Sequence, residues 1–270
     1  MIRRGLHIAV MAVAALATQA PAGSGLIRLT DRDDLFGWEA VGRIELGQDG
    51  YCTGVLISPK LVLTAAHCVY DREQEAISAS DITFRAGLRD GTSIADRKVA
   101  RIAAHKGYDP QRPYGAENIR HDAALLELAQ PIPTALADPF VLHQGAGDGQ
   151  RVSVVSYGQG RDDALSWQRD CGQLWSGRNL IAFDCNITFG SSGAPVFVRE
   201  GSRARILSLV SGGNMNDGTP VAYGMTLAPL VADLKRDLRA MPAVPVAGSG
   251  IRRAKVGQGG GASGAKFAKP

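Results

Sequence analysis

The sequence lacks several features that would each point to a different class of protein. Aromatic residues make up only 6% of the 270 positions, and no internal repeat of fixed period is present. Beyond residue 22 no apolar run approaches the roughly 20 residues of a membrane-spanning helix, so no membrane span is expected. The four cysteines form no C-x-x-C pair, which argues against a zinc knuckle, and no metal site is expected.

Basic charge is also scarce where a nucleic-acid-binding core would need it. The net charge of +4 comes from the two ends of the chain, since residues 1–22 contribute +2 and residues 243–270 contribute +5. The intervening body, 23–242, carries −3. A nucleic-acid-binding domain needs a basic patch on the folded body itself, so no nucleic-acid partner is expected.

Residues 1–22 have the pattern of a secretory signal peptide. Arg3 and Arg4 give a positive start, residues 6–17 form an apolar run, and Ala20-Pro21-Ala22 offers a small-x-small cleavage site. The apolar run is too short for a membrane anchor. The protein is therefore expected to be secreted, either to a periplasm or to the outside of the cell.

Export would place the four cysteines in an oxidising compartment, where an even number of cysteines indicates disulfides. Cys52 and Cys68 lie 16 positions apart, and Cys171 and Cys185 lie 14 apart. Pairing by proximity would close two loops of similar length. Four cysteines nevertheless allow three connectivities, and spacing alone leaves all three open.

The 33 glycines and 13 prolines favour a turn-rich β protein, and short β-rich runs recur along the chain. They lie at 41–46, 53–57, 61–64, 82–86, 98–103, 123–128, 151–157, 181–185, 194–198, 206–211 and 222–226. Strands of this length and density predict an all-β sandwich or a pair of barrels. One helix is predicted, from Pro229 to Arg239, with Leu230, Leu234 and Leu238 on one face. Residues 243–270 lack periodicity and predict a disordered tail rich in Gly and Ala.

Three segments carry the residue types that acyl transfer needs. Residues 63–68 (LTAAHC) present His67 at the end of a β run, and residues 121–128 (HDAALLEL) present Asp122 before an apolar strand. Residues 190–195 (GSSGAP) hold Ser192 between glycines, which free backbone amides to approach an oxyanion. A hydroxyl, an imidazole that takes its proton and a carboxylate that orients the imidazole form one catalytic unit.

These segments, with residues 52–57 (CTGVLI) upstream, resemble those of trypsin-like serine proteases over about residues 38–239. The order His, Asp, Ser is that of the chymotrypsin type. The resemblance implies an all-β fold of two six-stranded antiparallel β-barrels, about 38–135 and 145–228, followed by the C-terminal helix.

The resemblance also implies roles for individual residues. His67 would be the base, Asp122 the acid that orients it and Ser192 the nucleophile, while the amides of Gly190 and Ser192 would form the oxyanion hole. Cys52–Cys68 would be the disulfide beside the histidine.

The sequence differs from many members of this family at two positions near the predicted nucleophile. Ser191 stands where most animal members carry the aspartate that binds the new N-terminus after activation, as in the bacterial branch that includes glutamyl endopeptidases. Asn186 stands where trypsins carry the aspartate of the specificity pocket. The other predicted pocket residues are Thr188, Ser211, Gly212 and Gly213. A neutral pocket predicts uncharged residues before the scissile bond, and Asp184 is the alternative if the register of the loop is shifted by two.

The sequence therefore predicts a secreted, monomeric serine endopeptidase that needs no cofactor and acts on proteins or peptides. The basic tail is a candidate contact for anionic surfaces. The alternative function is a catalytically inactive homologue that binds partners through the same cleft.

Overall fold

The computed structural model describes residues 25–242, apart from residues 49, 146–148, 202 and 217. The predicted signal peptide, 1–22, and the predicted tail, 243–270, lie outside the described residues. Within them, the chain is mainly β-structure with a single long helix. Neither described helix has the length and apolar character required to cross a bilayer.

The strands fall into two groups along the chain. The first group, with one short helix, is β1 (Leu26–Arg28), β2 (Val41–Leu46), β3 (Tyr51–Ser58), β4 (Leu61–Thr64), β5 (Ile82–Ala86), β6 (Ala95–Ala104), α1 (Ala116–Ile119) and β7 (Ala124–Leu128). The second group, with the long helix, is β8 (Arg151–Ser156), β9 (Ser166–Gly177), β10 (Leu180–Phe183), β11 (Pro195–Glu200), β12 (Arg203–Leu209), β13 (Gly212–Asn216), β14 (Thr219–Met225) and α2 (Ala228–Ala240).

Strands β2 to β7 close into a six-stranded antiparallel barrel in the order β2-β3-β4-β7-β6-β5. Along β5, Ile82, Phe84 and Ala86 are buried while the residues between them are partly exposed, as expected for a strand with one face on the core. Gly42 lets β2 pass close to the aromatic ring of β5, since a Cβ there would lie 2.4 Å from Phe84. The predicted closed barrel is confirmed for the first half.

The second half forms a sheet in the order β12-β11-β8-β9-β10-β14-β13, and β1 adds an eighth strand by pairing with β9. The sheet curls back on itself where β12 meets β14. There Ser208 Oγ donates to the carbonyl of Met225 at 2.8 Å and accepts from its amide at 2.9 Å. The arrangement is consistent with a second barrel, although the sheet has eight strands because the N-terminal segment joins it.

Helix α2 confirms the predicted C-terminal helix. Its apolar face, with Leu230, Leu234 and Leu238 buried, packs against β6 and β7 of the first barrel. Arg101 of β6 holds the end of the helix by donating to the carbonyls of Leu238 and Met241 at 3.1 and 3.0 Å. The second half is thereby tied back to the first.

An aromatic cluster joins the two halves. Trp38 lies 5.1 Å from both Trp167 and Phe197 between ring centroids, and Phe140 lies 4.6 Å from Phe197. Trp38 precedes β2, and Phe140 lies in the segment between β7 and β8. Trp167 and Phe197 belong to β9 and β11 of the second half. Burial of several aromatic rings in one place contributes strongly to packing, so the two halves share one core.

Candidate active site

His67 lies in a 3₁₀ turn, Ala66–Val69, immediately after β4. Strand β4 pairs with β7 so that Thr64 lies opposite Ala124, and the end of β4 therefore meets the start of β7. This pairing brings His67 to Asp122, two residues before β7. The His67 amide donates to Asp122 Oδ1 at 2.8 Å, and His67 Nδ1 lies 2.8 Å from Oδ2.

Asp122 is only 2% exposed, and its carboxylate accepts several hydrogen bonds. In addition to the two groups of His67, Ser211 Oγ donates to Oδ2 at 2.5 Å. A buried carboxylate is tolerated only when hydrogen bonds replace its water, and these three donors supply them. An ionised Asp122 holds the proton on Nδ1 of His67 and leaves Nε2 as the acceptor.

The electrostatic environment of His67 favours its protonated form. Burial by itself lowers the pKa of the imidazole. The negative charge of Asp122 and its hydrogen bond to the ring outweigh burial, so the pKa lies above the ordinary value for histidine. The side chain is 33% exposed, so its outer edge remains open to solvent and to a ligand.

Ser192 lies in the loop between β10 and β11, and the glycines on either side of it are required by the packing. Gly190 and Gly193 have φ of +83° and +74°, a region that L-residues with a Cβ rarely adopt. A Cβ on Gly190 would lie 2.2 Å from the Tyr51 ring, and one on Gly193 would lie 2.2 Å from Thr64 Oγ1. The loop therefore packs directly on the first barrel, close to the turn that carries His67.

Hydrogen bonds to two carbonyl groups of this loop fix the directions of the N–H groups in the same peptide units. The Phe189 carbonyl accepts from the Gln159 amide at 2.7 Å, and the Ser191 carbonyl accepts from the amide three residues later at 3.0 Å. In a trans peptide the N–H points opposite to the C=O. The amides of Gly190 and Ser192 thus point away from these contacts, and neither donates to an acceptor within the described residues.

Ser191 is buried beneath the loop. Its side chain is fully inaccessible, lies 3.2 Å from the Ser156 hydroxyl and accepts from the Thr188 amide at 3.4 Å. The neutral hydroxyls of Ser191 and Ser156 thus lie where most animal members of the family place an aspartate. Among the residues that the structure describes, no ion pair holds the loop at this position.

A cavity of about 470 Å³ opens beside Ser192. It is lined by Tyr114, Ile187, Thr188, Phe189, Ser192, Val210, Ser211, Gly212, Gly213, Asn214, Met215 and Pro220. Four of the five predicted pocket residues are in this lining together with the predicted nucleophile. No side chain in it carries a formal charge.

Asn186, the fifth predicted pocket residue, is not brought to this cavity. Asn186 is exposed, and its amide donates to the Gln168 side chain at 2.6 Å. The alternative, Asp184, also lies elsewhere, because its carboxylate accepts from the Gly172 amide. Ile187 lines the cavity instead, close enough to Gly213 that a Cβ there would lie 2.8 Å from Ile187 Cδ1.

A smaller cavity of about 150 Å³ lies on the other side of the cleft. It is lined by His67, Tyr108, Arg112, Tyr114, Asn118, Ile119, Asp122 and Ser211. Tyr114 and Ser211 line both cavities, so the Ser192 side and the His67 side are neighbours. Within the described residues, the Ser192 hydroxyl forms no hydrogen bond with the His67 ring.

The four cysteines form the disulfides Cys52–Cys68 and Cys171–Cys185. Cys52 is in β3 and Cys68 follows His67, so the first disulfide fastens the histidine turn to the barrel. The second joins β9 to the segment that leads into the Ser192 loop. Each disulfide therefore lies next to one side of the cleft.

Among the described residues, one group has the geometry to attract a metal ion, namely Cys52, His67 and Cys68. Both cysteines are in a disulfide, so neither offers the thiolate that a metal would need. This group is therefore not a metal site in the oxidised protein.

Sequence reasoning missed three contributions to the cleft. Ser211 was predicted in the pocket, but its hydrogen bond to Asp122 was not, since it joins residues 89 positions apart. Tyr114 and Ile187 were not singled out at all. No local motif marks these residues, and only the folded chain brings them to the cleft.

Comparison with known proteins agrees with this architecture. The family model described as Trypsin matches residues 34–227. A glutamyl endopeptidase of Bacillus licheniformis is 27% identical over 57% of this chain and 47% of its own length. Serine protease SP24D of Anopheles gambiae is 37% identical over 40% of this chain and 37% of its own length. The chain thus spans less than half the length of these relatives.

Solved structures show the same fold at low sequence identity. A Glu endopeptidase determined in complex with MPD superposes with a TM-score of 0.66 at 18% identity, covering 82% of this chain and 99% of the other. Protease Anisep from Arthrobacter nicotinovorans gives 0.60 at 18% identity, covering 75% and 96%. Because the family model spans well over half of the sequence, the chain belongs to the trypsin family.

Proposed function

We propose that this chain is a serine endopeptidase in which Ser192 attacks the peptide carbonyl. The single observation that carries the proposal is the buried Asp122 carboxylate, hydrogen-bonded to both His67 and Ser211 in the cleft that contains Ser192. An imidazole oriented in this way accepts a proton at Nε2. Apo structures often lack the final serine–histidine hydrogen bond, which forms when substrate is bound.

The proposed reaction has two halves, formation of an acyl-enzyme and its hydrolysis. Ser192 Oγ forms a bond to the carbonyl carbon while its proton passes to His67, and the leaving amine takes that proton as the peptide bond breaks. Water then attacks the acyl-enzyme, gives its proton to His67, and Ser192 recovers the proton as the acid is released. The free amides of Gly190 and Ser192 stabilise the negative oxygen in both halves.

The substrate class follows from the lining of the 470 Å³ cavity. Ile187, Val210 and Met215 give it an apolar wall, and no charged side chain lies in the lining. An uncharged wall cannot offset the desolvation of a buried guanidinium or carboxylate. We therefore propose that the residue before the scissile bond is uncharged, which differs from the preference that the name glutamyl endopeptidase implies for a relative.

Two disulfides and the predicted signal peptide support a proposal for location. Disulfides persist in oxidising compartments and are rare in the cytosol. We propose that the protein acts as a secreted monomer, outside the cytoplasm, on protein or peptide substrates.

A fluorophosphonate probe tests the proposed chemistry directly. The purified protein should be labelled at Ser192, and it should cleave a peptide library with an uncharged residue before the cut. Ser192→Ala should remove labelling and turnover, whereas Ser80→Ala, an exposed serine, should change neither. Absence of labelling in the folded wild-type protein would support the inactive binding homologue and overturn the proposal.

A further inference from the structure

Thr53 is a buried residue of β3 that contacts the Ser192 loop from the first barrel. It is fully buried although its side chain carries a polar hydroxyl group. The hydroxyl donates to the carbonyl of Gly190 at 2.8 Å and accepts from the amide of Tyr157 at 3.0 Å. A buried hydroxyl requires partners of this kind, and both partners of Thr53 lie in the second half of the chain.

The backbone of Thr53 binds the same loop. Its amide donates to the carbonyl of Ser192 at 2.9 Å. The side chain and the backbone of Thr53 therefore hold the carbonyls of Gly190 and Ser192. These are the two residues whose own amides form the proposed oxyanion hole.

The two hydrogen bonds complete the fixation of two peptide units in the loop. The unit that follows Gly190 is held at its carbonyl by Thr53 and at its N–H by the carbonyl of Thr188, at 3.0 Å. The unit that follows Ser192 is held in the same way, with its N–H on the carbonyl of Val210 at 2.8 Å. Because a peptide unit is planar, fixing both of its ends leaves the adjacent amides little freedom to rotate.

The loop needs such anchors because glycine gives it conformational freedom. Gly190 has a φ of +83°, and its lack of a Cβ allows many other backbone conformations. Beneath the loop Ser191 contributes only a neutral hydroxyl contact with Ser156. The hydroxyl of Thr53 adds a second neutral contact, which comes from the first barrel.

Thr53 itself is held firmly. Its carbonyl accepts from the hydroxyl of Thr64 at 2.9 Å, and the preceding residue, Cys52, is joined to Cys68 by the disulfide. The β-branched side chain of threonine also has restricted rotation about χ1. The hydroxyl of Thr53 is therefore a fixed point against which the loop is oriented.

From these contacts we propose that Thr53 is a positioning residue whose hydroxyl orients the amides of Gly190 and Ser192 toward the oxyanion. This inference rests on the proposed peptidase function. Thr53 is fully buried and lines neither cavity of the cleft, so it acts through the loop. The oxyanion forms as the carbonyl is attacked, so the hydroxyl contributes to kcat and leaves KM almost unchanged.

Two substitutions at this position test the proposal with a Leu peptide. Thr53→Val removes the hydroxyl and keeps the shape, whereas Thr53→Ser keeps the hydroxyl. Thr53→Val should lower kcat by about 10- to 100-fold, less than loss of a whole oxyanion donor, with KM within threefold of wild type. Thr53→Ser should retain kcat within threefold. An unchanged kcat in Thr53→Val, or a loss confined to KM, overturns the proposal.

Two inhibitors distinguish a misplaced oxyanion hole from a general loosening of the cleft. A peptidyl trifluoromethyl ketone adds to Ser192 and then carries a negative oxygen, whereas the corresponding peptidyl alcohol fills the cavity without adding. Thr53→Val should weaken binding of the ketone by the same factor as kcat and leave binding of the alcohol within threefold. An equal loss of affinity for both inhibitors overturns the positioning role.

Ser208→Ala is the matched control, since its buried hydroxyl also joins an amide and a carbonyl, both of Met225. Urea unfolding should show that Ser208→Ala and Thr53→Val are both less stable than wild type. Ser208→Ala should nevertheless keep kcat within threefold, and a loss of kcat equal to that of Thr53→Val overturns the proposal.

Titration of Ser192 with a fluorophosphonate separates the remaining outcomes. It counts the folded, active fraction of each variant, so kcat is expressed per labelled molecule. Thr53→Ala replaces Thr53→Val if the latter does not fold, with the same expectation for kcat. A labelled wild type with an unaffected Thr53 variant overturns the role of Thr53 alone, whereas an unlabelled wild type overturns the peptidase function and this inference with it.

Discussion

At the scale of single residues, Asp122 controls the proton affinity of His67. Its charge and hydrogen bond raise the pKa of His67 despite burial. In the proposed mechanism only the neutral imidazole accepts the Ser192 proton, so kcat/KM should fall as the pH drops through a midpoint above the ordinary 6.5. A pH profile of kcat/KM measures this midpoint, and a midpoint below 6.5 would contradict the assignment.

Substitution of the carboxylate tests the cause of that shift. Asp122→Asn should move the acid limb to lower pH and reduce kcat by about 10⁴-fold, because an amide does not hold the required tautomer. The exposed Asp81→Asn should leave the profile unchanged. The raised pKa also affects stability, since the contribution of the pair is complete below pH 6.5 and is lost as the pH rises through the folded-state pKa.

Ser191 offers a second residue-scale prediction. Ser191→Asp should lower the free energy of unfolding by about 3–5 kcal/mol, because its carboxylate would be buried beside Ser156 with no opposite charge. Ser191→Ala should cost less, about 1–3 kcal/mol, since it removes only neutral hydrogen bonds. Urea unfolding in a Ser192→Ala background, which prevents self-cleavage, measures both. An Asp variant as stable as wild type would show that a cation reaches this position.

The uncharged cavity leads to a third prediction, concerning the residue before the scissile bond. Peptides with Leu, Phe or Ala there should have a kcat/KM at least tenfold above peptides with Arg or Glu, because burial of an unpaired charge is costly. Ile187→Asp should improve cleavage after Arg, while the same substitution at exposed Asn186 should have little effect. A wild-type preference for Arg over Leu would refute the assigned lining.

At the scale of elements, the two disulfides should differ in their effect on activity. The Cys52→Ala/Cys68→Ala and Cys171→Ala/Cys185→Ala proteins should each lose about 3 kcal/mol of unfolding free energy, since the loops are of similar length. The first pair should also lose more kcat/KM, because it fastens the His67 turn to β3. Urea unfolding and peptide kinetics compare the variants, and a larger kinetic loss from the second pair would contradict this expectation.

At the scale of the whole molecule, the last buried core residue among those described is Leu238. Helix α2 ends at Ala240, and Arg101 already binds the Met241 carbonyl at 3.0 Å. Deletion of residues 243–270 should therefore leave kcat/KM on short peptides within twofold of the full chain. Binding to anionic vesicles at low salt should decrease in the truncated protein, since five basic residues are removed. A truncated chain that fails to fold would place the domain end further along.

The local sequence pattern predicted some of the helices and strands and missed others. The spacing of Leu230, Leu234 and Leu238 predicted α2, and alternation predicted β5 at its observed bounds. Strand β9 was missed, because its polar sequence, Ser166–Gly177, has no clear alternation and is ordered by its neighbours β8 and β10. Strand β1 was also missed, since it is exposed and pairs with residues about 140 positions away.

Short sequence motifs were enough to identify the reactive side chains of the cleft, because His67, Asp122 and Ser192 are each recognised from the residues adjacent to them. The family resemblance also implied the Cys52–Cys68 disulfide, whereas the spacing of the cysteines left the pairing of Cys171 with Cys185 open. The glycines beside Ser192 were visible in the sequence as well, and positive φ and close packing leave no room for a Cβ there. The lining of the cavity beside Ser192, in contrast, depends on the folded chain. The Ser211–Asp122 hydrogen bond and the contact of Tyr114 with Gly212 join residues that are distant in the chain. The cavity is lined by Ile187 and not by Asn186, a difference of one position in the register of the loop. Such contacts depend on packing that no local pattern encodes.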